Sequence, residues 1–298
     1  MINKINYSSC PVCGSPSISK LIRAKDHTVS GEHFDIYHCA DCQLRFTQDA
    51  PAADSIGAYY KSENYISHTN TSKGLVNSIY KLVRKRANRQ KRKLVEKSTA
   101  IKNGSLLDVG SGTGYFVSEM KNSGWKVTGL ESDSDARKLA EEINAIQLSP
   151  SGEIYQLTAN QFDAITLWHV LEHVHDLKNY IKQFKLLLKE NGKLFIAVPN
   201  YLSLDAQLYK EFWAAYDVPR HLYHFTPSSM KLLMEGTGLK VTDIKPMWFD
   251  SFYVSLLSSK YKNGNTNWLA AIFNGLRSNW NAMYDVEKCS SLTYIISK

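Results

Sequence analysis

From residue 104 onward, short apolar runs alternate with longer amphipathic ones. The runs "SLLDVG" (105–110), "FDAITLW" (162–168) and "KLFIAVPN" (193–200) are brief and mostly apolar, as strands buried on both faces are, and "KVTGLE" (126–131) reads as a second strand ending in Glu131. "SGTGYFVSEMKNSG" predicts a glycine loop entering a helix that closes near Gly124, and "SDARKLAEEINA" a helix capped by Ser132 or Ser134. "DLKNYIKQFKLLLKENGK" places apolar residues at 177, 180, 181, 184, 187 and 188, one face of a helix ended by Gly192. Thr226-Pro227 supplies an N-cap and a proline for the first helical position. "LKVTDIKPM" (239–247) reads as a further strand, "NWLAAIFNGLRSNW" (267–280) as an amphipathic helix inserted late, and "SLTYIISK" (291–298) as a last strand. This rhythm predicts an α/β fold whose parallel sheet is covered on both faces, with ligands at the carboxyl ends of its strands.

The front of the chain has a different pattern. Two strand-like stretches, "SISKLIRA" and "EHFDIYHC", are flanked by "CPVCG" (10–14) and "CADC" (39–42). Cys10, Cys13, Cys39 and Cys42 form two C-x-x-C pairs, and two-residue spacing lets both thiolates of a pair reach one tetrahedral ion at about 2.3 Å. Four thiolates leave no open position, so the expected ion is a structural zinc in a small zinc ribbon over residues 1–50. A redox dithiol is the rival reading, but two matched pairs are better explained by one metal. The fifth cysteine, Cys289, is expected to be a small, partly buried residue. Residues 51–100 read as a linker, with "DAPAADS" and the tyrosines Tyr59, Tyr60 and Tyr65, followed by a basic helix. Residues 101–298 form the α/β domain, with a helical insertion at about 248–288 that fits either a substrate lid or packing.

Composition narrows the classes. The 298 residues are 43% hydrophobic and 21% charged, ordinary for a globular chain. No apolar run approaches the ~20 residues of a membrane span, and "MINKINYSSC" lacks the apolar stretch of a secretory signal. Few cysteines for this length exclude a disulfide scaffold, so a reducing, cytoplasmic setting is expected. The net charge of +8 is local: residues 81–93, "KLVRKRANRQKRK", hold eight basic residues and no acidic one. That run reads as a solvated helix face, with Leu75, Ile79, Leu82 and Val83 as its apolar stripe. A contact to phosphates or to an anionic membrane surface is the alternative.

The candidate chemistry begins at Asp108-x-Gly110-x-Gly112-x-Gly114, a loop that follows a strand and opens a helix. Glu131 ends the next strand, 23 residues after Asp108, where an acid accepts hydrogen bonds from a ribose diol. An acid beside the loop repels a pyrophosphate and attracts an ammonium. A ligand with a ribose, an ammonium and no phosphate fits, and S-adenosylmethionine is such a ligand.

"LLDVGSGTGYF" resembles motif I of the class I S-adenosylmethionine-dependent methyltransferases, and the likeness runs through residues 100 to 240; some members carry a zinc ribbon in front. It implies a Rossmann-like sheet of seven strands, mostly parallel with the last antiparallel. By that likeness Asp108, Gly110, Gly112 and Gly114 hold the methionine portion, with Ser111, Tyr115 and Phe116 in the same loop, and Glu131 with Ser132 holds the ribose. Trp168 and His169 line the methyl-donor site. The likeness also expects an adenine contact after the third strand, where "AIQLSPSGEIYQL" offers Glu153 and Gln156 without singling out either.

Two histidine-bearing stretches remain. "WHVLEHVHD" contains His169-x-x-Glu172-His173, a zinc-peptidase pattern. A break from strand to turn at 169 argues against His169 and His173 sharing a helix face. Methyl transfer mainly requires positioning, but an alcohol or amine must also lose a proton, which histidine accepts. His173 is the first candidate base, its alternative role being to pin the turn; Glu172 fits a first helical turn. "WAAYDVPRHLYHFTPSSM" groups Asp217, Arg220, His221, Tyr223 and His224. In zinc-ribbon methyltransferases of nucleotide-linked sugars, a similar stretch contributes to catalysis. This makes His221 the second candidate base and Tyr223 a substrate contact, although Arg220 stands where those enzymes tend to carry an acid. The sequence thus points to methylation of a small-molecule acceptor, most simply at oxygen of a sugar, lipid-linked or other secondary metabolite. An RNA methyltransferase or C-methylation of a nucleotide sugar are the alternatives; the oligomeric state is not legible.

Overall fold

The computed structural model describes residues 3–60 and 75–298, with side chains from residue 82 in the first helix; Tyr65 and the side chains of Leu75, Ile79 and Lys81 lie outside the described residues. In chain order the strands are β1 (Lys4–Ile5), β2 (Ile18–Lys25), β3 (His33–Cys39), β4 (Arg45–Thr47), β5 (Ala50–Pro51), β6 (Ser105–Val109), β7 (Lys126–Leu130), β8 (Phe162–Trp168), β9 (Leu188–Pro199), β10 (Tyr223–His224), β11 (Lys240–Pro246) and β12 (Ser291–Ser297). The helices are α1 (Leu75–Thr99), α2 (Tyr115–Asn122), α3 (Ser134–Asn144), α4 (Leu177–Leu187), α5 (Leu204–Tyr209), α6 (Pro227–Glu235), α7 (Asp250–Asn263) and α8 (Trp268–Tyr284). The described residues gather into two compact units: a sheet unit of residues 75–170, 179–196 and 295–298, and a ribbon unit of residues 3–60, 171–178 and 197–294.

The sheet is six-stranded, in the order β11-β12-β9-β8-β6-β7. β6 lies parallel to both β7 and β8, with Asp108 level with Gly129 on one side and Thr166 on the other. This is the expected Rossmann-like α/β sheet, with six strands among the described residues where seven were expected. The chain after α3 makes one parallel bridge, Ser149 to Leu130. Pro150 then removes a donor and a 3-10 turn (Ser151–Gln156) takes over, so no ladder extends. α4 also ends earlier than its apolar pattern suggests. The Asn160 and Gln161 N–H groups donate to the Leu186 and Leu187 carbonyls at 2.9 Å each, capturing helix-end acceptors from outside. The chain then enters β9 without a loop. Val95, Leu106, Phe116, Met120, Trp125, Ala164, Phe195 and Ile295 form this unit's apolar core.

In the ribbon unit a four-stranded sheet runs β10-β4-β3-β2, with every pair antiparallel. β10 places Tyr223 opposite Phe46 and His224 opposite Arg45, so the histidine-rich stretch after β9 is stitched to the front of the chain. The core holds Phe34, Ile36, Tyr59, Trp213 and Tyr216. α6 starts as expected: Thr226 Oγ1 accepts from the Ser229 N–H at 3.2 Å, and Ser229 Oγ accepts from the Thr226 N–H at 2.9 Å.

Candidate active site

The glycine loop has the shape its sequence requires. Gly110 has φ +71°, and a Cβ there would meet Val170 Cγ2 at 2.3 Å. Gly112 has φ +53° with open space where its side chain would be, leaving bare backbone for a ligand to approach. Glu131, half-buried at the loop mouth, accepts from the Gly112 N–H at 2.7 Å and the Asp133 N–H at 2.9 Å. Ser132 Oγ donates to the same carboxylate at 3.2 Å.

Asp108 is 1% exposed and accepts from Thr166 Oγ1 at 2.6 Å, tying β6 to β8. Burial drives its carboxyl up to about 6, against the opposing pull of the Thr166 and Ser111 hydroxyls and the charge of Lys91.

The aromatic members of the loop are partnered by the basic helix. Phe116 meets Trp168 edge to face at 5.4 Å. Lys91 Nζ lies 4.5 Å from the centre of the Trp168 ring, and the Arg84 guanidinium 3.5 Å from that of Tyr115. Arg92 bonds Glu119 of α2 at 3.0 Å and Glu96 of its own helix at 2.8 Å. Part of the 81–93 run is therefore fixed to the loop. Sequence reasoning missed this, although Arg84 and Lys91, seven residues apart, share a helix face. His169 follows β8 directly with φ +58°, a left-handed conformation that a non-glycine residue rarely takes.

In the ribbon unit His173 and His221 come together, ring centres 4.6 Å apart and edge to face. His173 Nδ1 lies 3.0 Å from the Arg220 carbonyl oxygen, and His221 Nδ1 2.8 Å from that of Ala215. A carbonyl only accepts, so each Nδ1 carries the hydrogen and Nε2 is the lone-pair nitrogen of the neutral ring. The Tyr60 hydroxyl also reaches His173 Nδ1 at 3.0 Å. Burial, with His221 beside it, pushes the His173 imidazole down to about 4, so it is neutral at pH 7. Asp217 lies 4.0 Å from His221 Nε2. Burial would raise the Asp217 carboxyl, but its hydrogen bonds from Arg220 hold it below the usual range. Arg220, 1% exposed, anchors the neighbourhood: it bonds Asp26, Asp217 and the Tyr59 carbonyl.

Tyr223 is buried; its hydroxyl lies 3.0 Å from that of Tyr7 and donates to the His175 carbonyl at 3.4 Å. His224 is buried edge-on against Tyr216, and burial holds it well below the ordinary histidine range.

Two groups among the described residues have ligand atoms close enough to hold a metal. In Glu172, His173 and His221, and in Cys10, Cys13, Cys39 and Cys42, these atoms lie within 4.8 Å of one another. His169 belongs to neither, so the H-x-x-E-H pattern does not form a peptidase site. The Cys10–Cys42 and Cys13–Cys39 sulfurs are 3.4 and 3.6 Å apart, near the ~3.8 Å edge of a zinc–thiolate tetrahedron. Cys289, fully buried, is the leftover.

A family model described as a methyltransferase domain matches residues 81–244, more than half of the chain. The chain belongs to the class I S-adenosylmethionine-dependent methyltransferases. Among curated relatives, the ubiquinone biosynthesis O-methyltransferase of Coxiella burnetii is 30% identical over 165 residues, covering 51% of this methyltransferase and 70% of the relative. The human mitochondrial protein of that name is 28% identical over 166 residues, covering 49% and 44%. The solved structure of the cyclase SpnF matches with a TM-score of 0.50 at 15% identity, over 71% of the methyltransferase and 80% of that chain, a likeness of fold. The open Gly112 backbone and the Glu131 carboxylate fit a ribose-bearing, phosphate-free cofactor. No helix of the methyltransferase among the described residues is long and apolar enough to cross a membrane.

Proposed function

We propose that the enzyme transfers the methyl group of S-adenosylmethionine to an oxygen of a small-molecule acceptor, with a histidine Nε2 as base. The observation that carries this reading is the pair His173 and His221, each with Nδ1–H committed to a carbonyl and Nε2 left to accept. The cofactor supplies a methyl group on a sulfonium, open to in-line displacement. With the cofactor bound, the acceptor oxygen would form the O–CH3 bond as the S–CH3 bond breaks and the neutral thioether S-adenosylhomocysteine leaves; the hydroxyl proton would pass to the Nε2 lone pair, which in neutral His173 is available at pH 7. The O-methyltransferase names of the relatives support oxygen as the methylated atom. A sugar, lipid-linked or other secondary metabolite is the acceptor class.

The loop from Asp108 to Phe116, with Glu131, Ser132, Trp168 and His169, is assigned to the cofactor. Glu131 binds the ribose after releasing the Gly112 N–H. Tyr223, sealed against Tyr7, is assigned to shaping the acceptor side rather than to proton transfer. The four cysteines hold a structural zinc in a ribbon over residues 1–50; 51–100 is the connecting and basic-helix region, and the catalytic domain is 101–298. Five free cysteines suit a reducing, cytoplasmic setting. An RNA substrate is the second reading: Arg84, Lys91 and Arg92 of the basic run are committed to Tyr115, Trp168 and Glu119, while Lys85, Arg86, Arg89 and Lys93 are exposed. The test is a screen of hydroxylated metabolites with methyl-labelled cofactor, followed by identification of the bond formed. A methyl ether supports the reading; label only on carbon, or only on RNA, overturns it.

A further inference from the structure

α8 is built inside out. Its inward stripe is Ala271, Gly275, Ser278 and Ala282, all buried. Three of its polar side chains are also tied inward: Ser278 donates to Asp205 at 2.6 Å, Asn274 to the Tyr209 hydroxyl at 3.0 Å and Asn279 to the Trp248 carbonyl at 2.8 Å. The small stripe lets α7 approach closely, and a Cβ on Gly275 would meet Phe252 Cδ1 at 2.8 Å. The large apolar side chains point the other way. Leu269, Phe273, Leu276, Trp280, Met283 and Tyr284 recur at helical spacing and are 83%, 64%, 55%, 64%, 71% and 79% exposed. Such a continuous outward face calls for a partner.

The charges select the partner. Lys260 and Lys262 near the end of α7 and Arg277 in α8 are all exposed; the acids stand at the two ends of the segment, Asp250 half-buried at the start of α7 and Asp285 exposed just after α8. A second copy docked through the same face would bring three exposed cations per protomer against one exposed carboxylate, Asp285. Anionic headgroups complement them. An outward face of Leu, Phe and Met with Trp and Tyr among them is the composition of a helix at the headgroup–acyl boundary. At 17 residues α8 is shorter than a bilayer requires.

We propose that α8 lies flat on an anionic bilayer surface, with its outward apolar face in the headgroup–acyl boundary and Lys260, Lys262 and Arg277 on the lipid phosphates. This binding is separate from methyl transfer to a dissolved acceptor, so its failure would leave the proposed function standing.

The experiment is flotation of the full chain with vesicles of phosphatidylcholine containing ~30% phosphatidylglycerol, and with phosphatidylcholine alone. Wild type floats with the anionic vesicles, and Leu269→Asn with Phe273→Asn weakens partition at least about tenfold. Replacing Lys260, Lys262 and Arg277 by Gln abolishes the preference for anionic vesicles. Brominated lipid quenches the wild-type tryptophan emission, and Trp268→Phe with Trp280→Phe removes that quenching, a readout that does not depend on the polar variants. No flotation and no quenching would overturn the proposal, as would flotation unaffected by the paired Asn substitutions. A dimer in sedimentation equilibrium that those substitutions dissolve, without vesicle binding, would assign the face to a second copy instead.

Discussion

Arg220→Met tests how the histidine neighbourhood is held. The guanidinium is 1% exposed and bonds Asp217 through Nε at 3.0 Å and Nη2 at 2.5 Å, Asp26 at 3.0 Å and the Tyr59 carbonyl at 2.8 Å. Methionine fills similar space but strips two carboxylates of their counter-charge. Asp26 is fully buried as a side chain and keeps backbone donors from Thr28, Val29 and Ser30, whereas the Asp217 side chain is 25% exposed. Breaking a buried pair from one side costs about 3–5 kcal/mol, a fall in Tm of roughly 10 °C at about 2–4 °C per kcal/mol.

The dependence on pH identifies the cause. In the wild type both acids are held below the ordinary carboxylate range, although burial alone would raise them. Their contribution is therefore present above the unfolded value of about 3.8 and is lost as pH falls through the lower folded values. In the variant, burial without the cation raises both acids, and protonation relieves them at mildly acidic pH. Urea titrations at pH 8 and pH 4.5 should show a large stability gap that narrows on acidification. An equal gap at both pH values would refute the argument from charge and leave lost packing as the cause.

Further outcomes follow from the same geometry. Gly110→Ala places a methyl group against Val170 at a left-handed backbone position, so S-adenosylmethionine affinity by calorimetry should fall by tenfold or more. Glu131→Ala should weaken the same binding without lowering Tm by more than a degree or two, because that acid is half-buried and its carboxylate bonds only Gly112 of the loop and its own neighbours Ser132 and Asp133. Thr166→Val removes the 2.6 Å bond to Asp108 and should cost about 1.5–3 kcal/mol at pH 8, with less lost below pH 5, where the Asp108 carboxyl is protonated. If His173 Nε2 is the base, the acid limb of the kcat/KM profile should fall near pH 4; an acid limb that survives His173→Ala and is abolished by His221→Ala would move the role to His221. One zinc per chain by elemental analysis, lost in Cys10→Ser with Cys42→Ser, is the result expected of the ribbon.

Strands buried on both faces announce themselves as apolar runs, so β6, β8 and the second half of β9 were legible in the sequence; the edge strand β7, buried only at Gly129 and Leu130, was marked instead by its place after the glycine-loop helix. Helix ends were less so: α4 stops at Leu187 because Asn160 and Gln161, remote in sequence, cap its last carbonyls. The glycine loop and cysteine pairs were legible because their chemistry depends on local spacing. The partnership of Arg84 and Lys91 with Tyr115 and Trp168 was not, because it joins a helix read as a charged face to rings read as ligand contacts. Nor was the pairing of Arg220 with Asp26, 194 residues away: side chains that meet only through tertiary packing leave no periodic trace. His173 and His221 were each named from their own stretch, but the committed Nδ1 hydrogens that give them meaning depend on the Arg220 and Ala215 carbonyls.

The most direct test of the central claim is the single-turnover rate of labelled-methyl transfer to a hydroxyl acceptor, measured for wild type, His173→Ala, His221→Ala and the double variant at saturating S-adenosylmethionine. The account predicts methyl ether formation by the wild type. It also predicts a loss of about 100-fold or more in at least one single variant, a double variant no worse than the more impaired single, and cofactor affinity unchanged throughout. Full turnover in the double variant, with the cofactor bound as in the wild type, would contradict it.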